Sequence, residues 1–219
     1  MHATPQRQAS RDKILDSAEQ LFARRGFAGV GLAEVAESVG LGKSSLFHHF
    51  RSKAELYAAV IARILGRIEH ALTQSLAEGG PPAERIERWL DVIIDLLAEN
   101  PSHPRLLLRS LFEDDELTGE LPDEQAANAS LQRVLTSAGR LLREGMAAGQ
   151  IRSANVAHTL QSIIGMTVYH FASGEFGDEL LGRSIFAESE VRRRKAEVKM
   201  LVRHGLLVSH ESDSESGRH

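Results

Sequence analysis

Apolar residues recur at intervals of three and four positions along nearly the whole chain, and no segment shows a convincing alternation with a period of two. Intervals of three and four are the period of an amphipathic α-helix, whereas alternation is typical of a β-strand. Within residues 56–76, for example, the apolar side chains share one helical face. The pattern predicts an all-α fold of about nine helices without internal repeats.

Capping residues, glycines and prolines set the predicted boundaries. The predicted helices cover roughly 11–25, 32–39, 43–50, 53–76, 83–99, 104–112, 123–148, 155–173 and 188–208. Ser10 is the predicted N-cap of the first helix, and Ser52 and Glu55 have the spacing of a capping box at the start of the fourth. Residues 173–184 are predicted to form a glycine-bearing loop.

The second and third predicted helices are separated only by Gly40, Leu41 and Gly42, so they must turn sharply against each other. Leu46 and Phe50 are predicted to lie in the core. A short helix that is exposed on one side, with small polar or basic groups at its N-terminal end, suits the major groove of DNA. The pair of helices therefore predicts a DNA-binding helix-turn-helix.

Residues 26–53, GFAGVGLAEVAESVGLGKSSLFHHFRSK, resemble the N-terminal signature of the tetracycline-repressor (TetR) family of bacterial transcriptional regulators. The matching positions are Gly26-Phe27, Leu32 to Ala36, Val39 to Lys43, Ser45-Leu46-Phe47, His49-Phe50 and Ser52-Lys53. The sequence departs from the family at Val30-Gly31, where the family often has Thr or Ser, and at Gly42, where it commonly has Ser. Glycine is nearly as good an N-cap as serine, so the departures remove two possible hydroxyl contacts to phosphate without affecting the predicted fold.

The resemblance implies three parts. Residues 1–53 would form the helix-turn-helix DNA-binding domain, and a long helix would join it to a helical domain, residues 54–208, that binds an effector and forms a homodimer. Residues 209–219 are polar and of low complexity, and we expect them to be disordered. The resemblance thus implies a regulator, by expectation a repressor, that binds a palindromic operator as a dimer and is released by a small, largely apolar effector.

The residues expected to contact DNA are Lys43, Ser44, Ser45, Phe47, His48, His49 and Lys53. Lys43 is a candidate for phosphate or guanine, and the two serines for base edges or phosphate. Phe47 stands where the family commonly has Tyr, so only an apolar contact remains there. Lys53 is expected to hold the DNA backbone from the start of the long helix.

Two further sets follow from the resemblance. The residues expected at the effector site are Trp89, Ile93, Leu96, His103, Leu107, Phe112, Met166, Tyr169 and His170, a mostly apolar group with a few polar side chains. The residues expected at the dimer interface are Ile163, Ile164, Phe171, Val198, Leu201 and Val202. Each set could instead belong to the core of a single chain.

The charge of the chain is unevenly distributed. The net charge is −4, but residues 1–53 hold eight basic and five acidic side chains, against 18 and 25 in the remainder. The basic run Arg192 to Lys195 alternates with acidic residues, which is typical of a solvated helix face. The N-terminus has no apolar stretch, and no apolar run is long enough to cross a bilayer, so we expect a cytoplasmic protein without a membrane partner.

Three alternatives remain at this point. An enzyme is disfavoured, because the chain lacks the common phosphate-binding, nucleophile-elbow and H-E-x-x-H motifs and has no cysteine. We expect no cofactor. A metal-sensing regulator of the same fold would need histidines 70, 103, 158 and 170 to converge. A helical interaction module that keeps the helix-turn-helix only as a scaffold would not bind DNA.

Overall fold

The computed structural model describes residues 5–110 and 119–208, which form ten helices. The N-terminal helices are α1 (Pro5–Arg25), α2 (Leu32–Ser38), α3 (Lys43–Phe47) and α4 (Lys53–Ala77). The middle helices are α5 (Pro82–Glu99), α6 (Ser102–Ser110) and α7 (Pro122–Ala147). Helix α8 begins with Val156–Ile164, continues through the π-helical turn Gly165–Tyr169 and ends with His170–Ala172; α9 (Glu175–Leu181) and α10 (Glu188–Gly205) follow.

The all-α fold is confirmed. Over residues 5–110 and 119–208 the only β-type pairing is an isolated bridge between Ile151 and Leu207, which ties the end of α10 to the segment after α7. None of the helices described is both long and apolar enough to span a membrane. The predicted tail, residues 209–219, lies outside the described residues.

The first helix starts earlier than predicted. Ser10 is not its N-cap, because Ser10 lies inside α1 and its hydroxyl donates to the carbonyl of Gln6 at 3.0 Å. A hydroxyl that bonds backwards along its own helix satisfies itself without ending the helix. Six residues are thereby added before the predicted start at Arg11.

The capping box at α4 is confirmed in part. The Ser52 hydroxyl accepts from the backbone N–H of Glu55 at 3.0 Å, as predicted. The Glu55 carboxylate, however, accepts from the N–H of Arg51 at 2.7 Å rather than from that of Ser52. Both side chains still satisfy backbone donors that the first turn of a helix leaves unpaired.

The predicted loop over residues 173–184 is wrong, because its centre forms α9. Two of the three glycines of this segment flank the helix: Gly174 has φ 56° before it and Gly182 has φ 69° after it, while Gly177 is buried within it. The Asp178 carboxylate then accepts from the N–H of Ile185 at 2.7 Å and fixes the chain beyond the helix. Glycine at the ends of a helix directs its entry and exit, whereas glycine in its interior weakens it.

Helix α4 is central to the packing of the other helices. It packs along α7 and α5, while α1 packs against both α4 and α6. Helix α10 packs antiparallel on α5 through three ion pairs spaced one turn apart: Lys195–Asp95 at 2.5 Å, Lys199–Asp91 at 2.9 Å and Arg203–Glu87 at 2.5 Å. The last residue of the basic run Arg192 to Lys195 therefore pairs with an acidic residue of the same chain, Asp95 on α5.

Candidate nucleic-acid interface

The turn between α2 and α3 has the geometry of a helix-turn-helix. Gly40 adopts φ 68°, a left-handed conformation that ends α2. The N–H of Leu41 then donates to the carbonyl of Ala36 at 2.9 Å, which folds the chain back before Gly42 precedes α3. The four-residue connection leaves α3 on the outside of the N-terminal domain.

Helix α3 and the three residues after it place some side chains in the core and others at the exterior. Leu46 and Phe50 are 0% and 1% exposed and pack into the core, as the sequence predicted. Lys43, Ser44 and Ser45 are exposed, as are Phe47 and His48. One turn of helix therefore presents a cation, two hydroxyls, an aromatic ring and an imidazole on one side of the domain.

A basic side chain that the sequence analysis did not single out joins this surface. Arg7, about one turn before the predicted start of α1 at Arg11, donates from Nη2 to the carbonyl of His48 at 3.4 Å. Lys43 lies with its Nζ 5.9 Å from the centre of the Phe47 ring. Arg7 was missed because the first helix was predicted to begin at Arg11. The recognition surface is hereafter Arg7, Lys43, Ser44, Ser45, Phe47 and His48.

His49 occupies a different position from His48, because it is partly buried. Its pKa lies below 6.5, since burial, the charges of Arg7 and Arg11, and the neighbouring His48 all disfavour its protonation. The imidazole is therefore neutral near pH 7. A neutral ring offers one donor to DNA and no net charge.

Lys53 is occupied within the chain. Its ammonium donates to the carbonyl of Phe27 at 3.0 Å and lies 4.2 Å from the centre of the Phe27 ring. Phe27 itself stacks on Phe22 and meets the edge of Tyr57, so the lysine covers an aromatic cluster of Phe22, Phe27 and Tyr57. In the structure Lys53 joins the loop after α1 to the start of α4, and its expected contact with the DNA backbone stays a prediction.

A buried charged network connects the N-terminal domain to the body. Glu19 on α1 is 5% exposed and accepts from Arg63 Nη2 on α4 at 2.8 Å and from the Ser102 hydroxyl on α6 at 2.6 Å. His103 Nε2, also on α6, lies 3.3 Å from the Glu19 carboxylate, and Arg63 Nη1 reaches Asp16 at 2.7 Å. Burial raises the pKa of Glu19, but His103, Ser102 and Arg63 outweigh that effect and lower it from 4.5 to about 2.

The residues expected at the effector site are dispersed. Trp89 and Ile93 are buried on α5, Leu96 and Leu107 are partly buried, and His103 belongs to the Glu19 network. Trp89 borders a small apolar cavity of about 10 Å³ between α5, α7 and α8, which has room for about one water. Phe112 lies outside the described residues. In this structure the group does not line one common pocket.

The last three residues of that set lie on the π-helical turn and beside it. Met166 is partly buried and Tyr169 is 54% exposed. The pKa of His170 falls to about 4 because the ring is buried and the charge of Arg194 lies nearby. Arg194 donates to the carbonyl of Met166 and so joins α10 to the π-turn.

Four of the six residues expected at the dimer interface are buried inside the single chain: Ile163, Phe171, Val198 and Val202 are at most 4% exposed. They form part of the core of one protomer and present no surface to a second copy, which corrects their assignment. Ile164 and Leu201 remain exposed at 36% and 50%. The metal-sensing alternative finds no geometric support, since no three potential ligand residues converge anywhere in the described ranges.

Two family models match the sequence. The model of bacterial regulatory proteins of the tetR family matches residues 14–60, and the tetracyclin repressor-like C-terminal domain matches residues 82–202. The first match contains the helix-turn-helix, and the second covers α5 through most of α10. The chain is thus matched on both sides of α4.

Individual relatives agree with these matches. The chain is 30% identical over 51% of its length to the HTH-type transcriptional activator FasR of Mycolicibacterium smegmatis, and it spans about half of that relative, 49%. It is also 30% identical over 65% of its length to the nucleoid occlusion factor SlmA of Aliivibrio fischeri, of which it covers 71%. A solved structure of AibR in complex with isovaleryl coenzyme A and operator DNA has the same fold, with a TM-score of 0.73 at 19% identity, covering 88% of this chain and 97% of AibR.

Proposed function

Because this chain belongs to the TetR family of bacterial transcriptional regulators, we propose that it binds a palindromic operator as a homodimer, represses transcription there and is released by a small effector. Residues 1–53 would bind DNA, and residues 54–208 would bind the effector and form the dimer. A cytoplasmic location follows from this role.

The observation that carries the proposal is that the side chains at α3 separate into a buried apolar group and an exposed polar group. Leu46 on α3 and Phe50 just after it are buried, while the recognition surface stays exposed with Lys43 and Arg7 as cations. Phosphate contacts by cations fix a protein on the duplex, and polar side chains at the base edges read the sequence. Side chains with both properties lie together on this surface, even though the chain as a whole is acidic.

Dimerisation is proposed because one short recognition helix makes few base contacts, whereas two copies about 34–36 Å apart read both halves of a palindrome. The exposed apolar residues Ile164 on α8 and Met200 and Leu201 on α10 offer a surface for a second copy. Large apolar side chains clustered at the surface often mark interaction sites.

The proposed effector response rests on the fold that this chain shares with AibR, a protein solved with both a ligand and operator DNA. A ligand weakens operator binding only if it prefers the conformation that does not bind DNA. The Glu19 network gives a physical connection between the effector domain and α1, because Ser102 and His103 on α6 contact the carboxylate directly.

The test is a fluorescence titration of the purified protein against the DNA upstream of its own gene, with excess nonspecific competitor. Specific binding with a stoichiometry of two protomers for each site would support the proposal. Failure on that DNA and on a random-sequence selection would contradict it and favour a helical module without DNA binding.

Replacing Lys43 with alanine is expected to weaken DNA binding and to flatten its salt dependence. Each lost phosphate contact lowers the slope of log K against log salt by about one unit. The measurement is the titration above at several salt concentrations. Arg140→Ala is the matched control, because Arg140 is an exposed cation on α7. An unchanged slope in Lys43→Ala would show that Lys43 does not contact phosphate.

Replacing Leu201 with aspartate is expected to convert the dimer to monomers and to weaken operator binding at least tenfold. A buried, unpaired carboxylate at the proposed interface is costly. Sedimentation velocity measures the change, with Gln132→Asp on the exposed face of α7 as the control. If Leu201→Asp remained a dimer, this part of α10 would lie outside the interface.

A further inference from the structure

A second, much larger cavity lies between α6 and the junction of α8 with α9. Its volume is about 410 Å³, within the range of about 300–1,000 Å³ of small-molecule sites. The residues that line it are Arg105, Leu108, Arg109, Ala172, Ser173, Gly174, Glu175 and Phe176. None of them was among the residues expected at the effector site, and the cavity is open to solvent.

Two guanidinium groups give this cavity its chemical character. Arg105 and Arg109 lie one turn apart on α6 and both line the cavity. Arg105 has no hydrogen-bond or ion-pair partner within the part of the chain that the structure describes. A guanidinium offers a planar fork of donors that matches the two oxygens of a carboxylate or a phosphate.

The backbone opposite Arg105 leaves room for its head group. Gly174 has φ 56°, a conformation that L side chains rarely adopt, and a Cβ placed there would lie 2.5 Å from Arg105 Nη2. Any larger residue at this position would therefore be strained and would displace the guanidinium. Glycine at residue 174 places Arg105 against the wall of the cavity.

The rest of the lining is apolar in part. Leu108 contributes from α6, and Phe176, which is 59% exposed, contributes from α9. A large apolar ring left in water beside two cations suits a ligand that is itself both apolar and charged. Among the lining residues that the structure describes, Glu175 is the one acidic side chain, and it limits the number of negative charges that the site would favour.

We propose that this cavity binds an amphipathic organic anion, with the oxyanion on Arg105 and the apolar portion against Leu108 and Phe176. The inference deepens the proposed function and rests on it, since it names the chemical class of the effector. The shared chemistry is an oxyanion on an apolar chain, whether that oxyanion is a carboxylate or a phosphate.

Helix α6 connects this cavity to the DNA-binding domain. Arg105 and Arg109 are the fourth and eighth residues of this helix, and its first two residues, Ser102 and His103, contact Glu19 on α1. A nine-residue helix is about 13 Å long and moves as a rigid unit. A ligand that displaces the arginines would therefore shift the contacts of Glu19 and weaken operator binding.

Calorimetric titration of the full chain with octyl phosphate, octanoate and octan-1-ol tests the proposal, because the three probes share one chain and differ in the head group. At least one anion is expected to bind about tenfold tighter than the alcohol, and whichever anion binds tighter identifies the head group. Arg105→Gln is expected to weaken the binding of that anion about tenfold or more, since a charge-assisted hydrogen bond is lost. Arg140→Gln on α7 is the control and is expected to leave it unchanged.

Equal binding of all three probes, binding of none, or unchanged binding to Arg105→Gln would overturn the inference. Titrating operator DNA with and without the anion is a separate measurement. A protein that binds DNA but no anion retains the proposed DNA-binding function and loses only this inference. A protein that binds the anion through Arg105 but never binds DNA would instead contradict the proposed function. If the anion binds and DNA affinity stays the same, the connection through α6 is wrong.

Discussion

Replacing Phe22 with alanine is expected to lower the free energy of unfolding by about 3–5 kcal/mol, the usual cost of removing a buried aromatic side chain. Phe22 is 0% exposed and packs edge-on against Tyr57, with ring centres 5.0 Å apart, and in parallel with Phe27. Because this cluster packs α1 against α4, its loss would also disturb the position of the recognition surface and weaken DNA binding. Urea denaturation and the DNA titration would measure the two effects.

The matched control for Phe22→Ala is Phe47→Ala, the same substitution on the exposed face of α3. Phe47 is 40% exposed, so we expect its loss to change the free energy of unfolding by no more than about 0.5 kcal/mol. DNA affinity should nevertheless fall in Phe47→Ala, because the ring belongs to the recognition surface. Equal stability losses in the two variants would contradict the placement of both rings.

Replacing Glu19 with glutamine is expected to lower the free energy of unfolding at pH 7 by about 3 kcal/mol. The substitution leaves Arg63, whose side chain is 15% exposed, with only the exposed carboxylate of Asp16 as a partner. Removing one member of a buried ion pair is costly because the other charge stays desolvated. Chemical denaturation measures the loss, and Glu37→Gln, at an exposed position on α2, is the control.

The effect of Glu19 should also depend on pH in a defined direction. Its pKa is lowered to about 2 in the folded chain and is ordinarily 4.5. A carboxyl group whose pKa is lowered by folding stabilises the folded state fully above the ordinary pKa, and this contribution is lost as the pH falls through the folded pKa. The difference between the native protein and Glu19→Gln should therefore shrink between pH 4.5 and about 2. A constant difference over this range would show that Glu19 is not ionised in the network.

The sequence predicted the fold because local signals and the apolar period agree along most of the chain. The buried pair Leu46 and Phe50 and the exposed face of α3 follow from residue spacing alone. The network at Glu19 was missed, although a signal was present: Glu19 lies four residues after Leu15 and three before Phe22, within the apolar stripe of α1. An acidic residue in such a stripe needs a buried partner, but the sequence does not show which one.

Other assignments depended on contacts between distant segments. Lys53 was assigned to DNA because of its place in the motif, but its partner, Phe27, lies 26 residues earlier. The apolar stripes of α8 and α10 were assigned to a second copy, yet Phe171 and Val198 pack within the same chain. Periodicity identifies a face that must be buried without stating whether the same chain or another one covers it. The cavity between α6 and α9 was missed because the segment that holds Gly174 and Phe176 was predicted to be a loop.

The π-helical turn in α8 has a consequence for how this chain tolerates changes in length. A turn with i to i+5 hydrogen bonds holds one residue more than an α-helical turn, so Gly165–Tyr169 has the form of a one-residue insertion in an α-helix. Each residue of an α-helix advances by about 100°, so deleting one residue here would restore a regular α-helix and would keep the buried side chains of Ile163 and Phe171 on the same face. We therefore expect α8 to tolerate the deletion of one residue within Gly165–Tyr169 better than a deletion in its regular α-helical parts, where every later side chain would rotate by about 100°.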